Sequence, residues 1–284
     1  MIEADEMSNY LSSLLISLFF SVVIGFIAYK KGFFILNPRV PAPVRGIDVI
    51  KEFAAFIIAQ MLVIPAFIVI IFTIFYGDVP KKLSIYDQGW VNILMIVGGF
   101  LAVFIIFLSL SRTLRYQIWG DTKNWTHHIL MGVMTWFISV PVVLFFEQLT
   151  SLFVWKVFQQ SPIDQVAVKH FKHLMPDQVL FWCTAFLVIC IVPIVEELLF
   201  RGFLQSWFRR KIKNPLGAIA LTSIIFACFH FSVSQGVSNI VLLCSLFILS
   251  CFLGFLYEKQ HSLWASIGLH AFFNAMSISM IMQA

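Results

Sequence analysis

"FWCTAFLVICIVPIVEELLFRGFLQSWFRR", residues 181–210, decides the fold. The apolar run around it, from Val179 to Trp207, carries only three charged side chains, Glu196, Glu197 and Arg201, and stops against Arg209 and Arg210. A hydrocarbon core about 30 Å thick takes roughly 20 apolar residues of helix. The run therefore reads as one membrane crossing. Its two carboxylates and one guanidinium need an explanation, because ionisable groups within a span are costly and generally face a bundle interior or a cavity.

Seven further runs have comparable length, near 11–29, 53–76, 90–111, 129–154, 216–232, 238–257 and 263–283. Backbone groups in lipid must be satisfied internally, and the runs lack the short alternation of barrel strands, so helices follow. The predicted fold is all-α, a polytopic membrane bundle of about eight transmembrane helices. Composition agrees: of 284 residues 60% are hydrophobic and 12% charged, with mean hydropathy +0.93, against about half and a quarter in soluble domains. Residues 1–178 read as four N-terminal spans with their loops, and 179–284 as a four-span core holding nearly all the buried polar residues. No separate soluble domain is visible.

The net charge of +5 points to no nucleic acid, since the cations border apolar runs. Lys30, Lys31, Arg39, Arg45, Lys51, Arg112, Arg115, Lys123, Arg201, Arg209, Arg210, Lys211, Lys213 and Lys259 fall on one side. Lys81, Lys82, Lys156, Lys169 and Lys172 fall on the other, a division of 14 against 5. The positive-inside rule places both termini outside the cytoplasm of a cell (inner) membrane protein. Glu3, Asp5 and Glu6 without a cation are unlike a signal peptide. The five cysteines all lie in apolar stretches without a CxxC pair and read as buried free thiols.

Helical spacing sorts the polar residues. Glu197 and Arg201, at i and i+4, share a face and can pair, while Glu196 points about 100° away. His270 and Asn274 are likewise i and i+4, and Phe226 lies one turn from His230. Measured from the basic edge at 1.5 Å per residue, Glu196 lies about 20 Å deep, His230 about 25 Å and His270 about 14 Å. Tilt absorbs such differences, so a carboxylate and two imidazoles converge. Pro193 predicts a kink three residues before Glu196. Glu147 marks the outer part of its span, and His127, His128, His170, His173 and His261 read as loop or interfacial residues.

The motifs Glu196-Glu197-Leu198-Leu199-Phe200-Arg201, Phe226-Ala227-Cys228-Phe229-His230 and His270-Ala271-Phe272-Phe273-Asn274 resemble those of the CPBP family of intramembrane proteases, also called the type II CAAX-protease and bacteriocin-processing, or Abi, family. The resemblance covers about residues 179–284. It implies peptide-bond hydrolysis, in the eukaryotic member removal of the last three residues of a prenylated CAAX protein. It further implies that Glu196 activates water with help from His230, that His270 and Asn274 stabilise the oxyanion or complete a metal site, and that Glu197, Arg201 and Phe226 support them.

A zinc ion held by Glu196, His230, His270 and Asn274 and a metal-free glutamate mechanism both remain open, and no HExxH occurs. The expected partners are membrane lipids and a protein or peptide substrate entering from the cytoplasmic side. A non-catalytic scaffold or self-immunity protein of the same fold is the alternative. A transporter fits less well, for want of inverted repeats.

Overall fold

A computed structural model describes residues 2–36, 40–78, 80 and 82–283, without the side chains of residues 2–6 and 9. Arg39, Lys81 and the side chains of Glu3, Asp5 and Glu6 thus lie outside the described residues. The elements that matter are α1 (Ile2–Lys30), α2 (Gly46–Tyr76), α3 (Ile85–Ser109), the short α4 (Arg112–Trp119) and α5 (Trp125–Phe158). They continue with α6 (Val166–Leu174), α7 (Gln178–Ile212), α8 (Pro215–Cys228), α9 (Asn239–Gln260) and α10 (Leu263–Ile281).

Seven helices among the described residues are long and apolar enough to cross a membrane, and α8 is a shorter apolar helix. The eight runs of the sequence are all present, so the all-α bundle stands. The sixth differs from expectation in length. At 14 residues α8 rises only about 21 Å, and His230 sits on the turn beyond its end rather than within it. The cause is local. Asn239 Oδ1 accepts from Ser232 N at 3.1 Å, while its Nδ2 donates to Ser232 O at 2.7 Å and Gly236 O at 2.9 Å. This clamp closes residues 232–239 into a compact turn that ends in a short 3-10 segment, Val233–Ser238.

Side-chain oxygens fix where the C-terminal helices begin. Asp177 Oδ1 accepts from Val179 N and Leu180 N at 3.1 Å each. Asn214 Oδ1 accepts from Leu216 N at 2.9 Å, with Pro215 in the first turn, and Ser262 Oγ accepts from Trp264 N at 3.3 Å. Each satisfies a backbone donor that has no partner within its own helix.

The loops sort to two ends. At one, Arg210 Nη1 donates to Val44 O and Lys259 Nζ to Ile35 O, both at 2.9 Å, and Gly120 bridges to Ser262. Asp121 in the same cluster accepts from Lys123 N, which holds its carboxyl below the usual range. At the other end Ile163 N donates to Ser238 Oγ at 3.0 Å, and α6 packs Phe171 and Leu174 against Ile278 and Ile281 of α10. The cation-rich connections therefore share one end.

The main core cluster gathers Val103, Phe107, Leu198, Leu199, Phe200, Phe203, Phe226 and Leu263, with Ala42 and Val44 from the first connection. Helix α10 lies tightly on α5. A Cβ on Gly132 would land on Ala265 O and 2.6 Å from Leu269 N, and one on Gly268 would meet Ile129 O at 2.7 Å. Only glycines allow the two backbones to meet. The cysteines are free, but none is buried: Cys190, Cys244 and Cys251 are half-buried, and Cys183 and Cys228 are exposed on the outside of the bundle. Both lie on apolar helix surface that a bilayer would cover.

Candidate active site

Helix α7 is not uniformly wound. It widens into π turns at Leu187–Ile191 and Leu198–Gln205, with Val192–Glu197 between them. The first widening accommodates Pro193, which has no N–H and whose ring crowds the preceding turn of a regular helix. Val192 N–H accordingly reaches Leu187 O, five residues back. The kink expected at Pro193 thus takes the form of a π turn, a feature frequent at functional sites.

Between the two widened turns the paired glutamates part. Glu197 is fully buried, and its Oε1 accepts from Arg201 Nη1 and from His270 Nδ1, each at 2.9 Å. Arg201 is also fully buried. Its Nη2 donates to Ser250 Oγ at 2.7 Å and Ser250 O at 3.2 Å, and its guanidinium lies over the Phe226 ring at 4.6 Å. The i, i+4 pair expected from spacing is present, and it has a second duty. Glu197 grips His270 as well.

Glu196 keeps 21% of its side chain exposed and faces two imidazoles. His230 Nδ1 contacts Phe226 O at 2.8 Å. A carbonyl can only accept, so this nitrogen carries the hydrogen. Arg201 already donates to the Glu197 oxygen that meets His270 Nδ1, and that nitrogen donates in the same way. With Nδ1 donating, Nε2 of each ring is an acceptor in the neutral imidazole and a donor in the protonated one. These two atoms point at Glu196, His230 Nε2 to Oε1 at 3.8 Å and His270 Nε2 to Oε2 at 3.7 Å. The gaps exceed a direct hydrogen bond. They suit one oxygen atom touching the carboxylate and an imidazole together. Phe226 walls the group, its ring centroid 4.8 Å from that of His230 and 6.1 Å from that of His270.

The structure therefore gathers Glu196, His230 and His270, with Glu197, Arg201 and Phe226 behind them. Asn274 lies one turn beyond His270, and its Nδ2 donates to Val188 O of the first π turn at 2.9 Å. Residue spacing marks neither the His270–Glu197 bond nor the contact of Ser250 with Arg201. Glu52 lies just before the apolar run that begins at residue 53, but within α2, which starts at Gly46. Glu52 is fully buried and neither carboxylate oxygen has a hydrogen-bond partner.

A carboxylate and two imidazole nitrogens are donor types that zinc accepts. Among the described residues, however, no group of three or more His, Cys, Asp or Glu has the spacing to hold a metal ion as placed.

Residues 178–276 match the family described as "Type II CAAX prenyl endopeptidase Rce1-like". All three motifs lie within that segment, so the family resemblance read from them is borne out. No curated protein and no solved structure matches the chain.

Proposed function

We propose that this chain, whose C-terminal third is similar to the type II CAAX prenyl endopeptidases, is an intramembrane endopeptidase with Glu196 as its general base. The observation that carries the reading is the pair of imidazole Nε2 atoms aimed at the two oxygens of one carboxylate.

In the proposed reaction a water donates one hydrogen to Glu196 and the other to His230 Nε2, which turns its lone pair towards the scissile carbonyl. Attack forms the new C–O bond, and Glu196 takes the water proton. His270, in its protonated form, donates Nε2–H to the oxyanion, while Glu197 on Nδ1 holds the ring and stabilises its charge as a carboxylate does behind a catalytic histidine. Glu196 then returns its proton to the leaving nitrogen as the C–N bond breaks, and the second water hydrogen passes from the new carboxylic acid to His230 Nε2, giving a carboxylate and an amine. Arg201 neutralises Glu197, and without it the carboxylate behind His270 would be buried alone. General-base catalysis of this kind is worth about 10²–10⁴-fold in rate. A zinc ion would take Glu196, His230 and His270 as donors and supply Lewis-acid activation of a water only if the three drew closer than they stand.

The substrate proposed is a peptide presented at the membrane from the cytoplasmic side, and a prenylated CAAX peptide is the natural first probe. In liposomes the wild type should cleave a quenched fluorescent peptide of this kind, with H230A and H270A at least about 10²-fold slower, H230A at unchanged thermal stability and H270A melting lower because Glu197 loses a partner. Equal rates in both variants would remove the imidazoles from the mechanism. A folded wild type inert towards prenylated and unprenylated peptides alike would favour the scaffold reading.

A further inference from the structure

The π turn at Leu187–Ile191 has a consequence for hydrogen bonding. In its register each N–H bonds the carbonyl five residues back, as Val192 N–H does to Leu187 O. The next donor in that register would be residue 193, which would serve Val188 O. Residue 193 is proline and has no N–H. A carbonyl left without a donor inside a membrane span finds no water to replace it. Here Asn274 supplies the donor from another helix, 86 residues away in sequence, with Nδ2 at 2.9 Å from Val188 O.

We propose that Asn274 is a positioning residue: its side-chain N–H stands in for the backbone donor that Pro193 lacks, tying α10 to the π turn that sets the placement of Glu196. Both ends of the tie adjoin the reacting groups. Asn274 is one helical turn from His270, and Val188 is eight residues, about 12 Å, before Glu196 on the same helix. The tie therefore fixes carboxylate and imidazole relative to each other. It also commits one of the two amide N–H bonds, which could serve an oxyanion only by stripping Val188 O of its donor. The kinetic part of this inference rests on the protease reading, but the tie itself does not.

A double-mutant cycle between Asn274 and Pro193 tests it. N274L removes the amide at similar size, and P193A restores a backbone N–H that satisfies Val188 O in the π register or lets the turn revert to α, where Val192 N–H serves it. Thermal unfolding of the purified protein in detergent reads the tie without any substrate. N274L should melt lower by about 5 °C, the scale of one unsatisfied buried carbonyl. The same change made in the P193A background should cost less than half as much. Should N274L alone fail to fold, recovery of a folded N274L/P193A protein is the same positive result. Equal losses in both backgrounds, or no recovery, overturn the tie.

Peptide cleavage reads the consequence. As a positioning residue Asn274 should show its loss mainly in kcat, about 10-fold or more, and P193A should restore much of it. A kcat that stays low while stability recovers would overturn the positioning role and make Asn274 a group acting directly on the substrate. A wild type inert towards the peptide would sink the protease reading, and the melting cycle would still decide the tie.

Discussion

Single residues explain why a chain this apolar tolerates charge in its interior. Glu197 and Arg201 share one bond at 2.9 Å, and each has a further partner, His270 and Ser250. Breaking a buried pair from one side leaves an uncompensated charge, which costs about 3–5 kcal/mol. E197Q should therefore unfold at markedly lower temperature, whereas E196Q, at a partly exposed carboxylate whose imidazole neighbours stand 3.7 and 3.8 Å away, beyond hydrogen-bond distance, should melt close to wild type. Glu52 makes the opposite case. Its two oxygens are buried without partners, and removing an unpaired polar group from an apolar site relieves a penalty of about 1–3 kcal/mol. E52L should match or exceed wild-type stability in thermal unfolding, and a large loss would reveal a partner for this carboxyl. The Glu197–Arg201 pair was legible from i, i+4 spacing. The Asn274–Val188 bond was not, because its acceptor is a backbone carbonyl released by winding that no residue pattern announces.

Among the elements, α7 and the contact of α10 with α5 carry the arrangement. The sequence marked α7 through Pro193 and predicted a kink. The π turns on either side of the glutamates depend on tertiary partners and could not be read. The same limit applies to α8, whose apolar run continues to Phe231 while its helix stops at Cys228, because Asn239 closes the following turn. His230 consequently stands on a turn, held by Phe226 O, rather than on a helix wall. Helix α10 presents His270 from a position set by two glycine contacts. G132A and G268A each drive a Cβ into opposing backbone, an overpacking that typically costs about 1–3 kcal/mol. Both should lower the melting temperature and slow peptide cleavage. Unchanged values in both variants would mean that α5 and α10 can separate without disturbing the site.

For the molecule as a whole, the apolar runs made the order of the apolar helices legible, seven of them long enough to cross a membrane and one shorter. The grouping of loops at two ends follows from that order, and contacts such as Arg210 to Val44 and Ile163 to Ser238 agree with it. Which end meets the cytoplasm rests on the positive-inside rule. On that reading, a cysteine introduced at Lys172 should react with an impermeant maleimide in intact cells. One at Lys213 should react only after permeabilisation, and the reverse pattern would invert the orientation.

Convergence of Glu196, His230 and His270 from α7, the turn after α8 and α10 is what turns the bundle into a candidate hydrolase. The most direct test is the single-turnover cleavage rate of a prenylated CAAX peptide by wild type and E196Q in liposomes, with melting curves recorded on both. The account predicts matching melting curves and a rate at least about 10²-fold lower for E196Q. A folded E196Q that cleaves at the wild-type rate would contradict it.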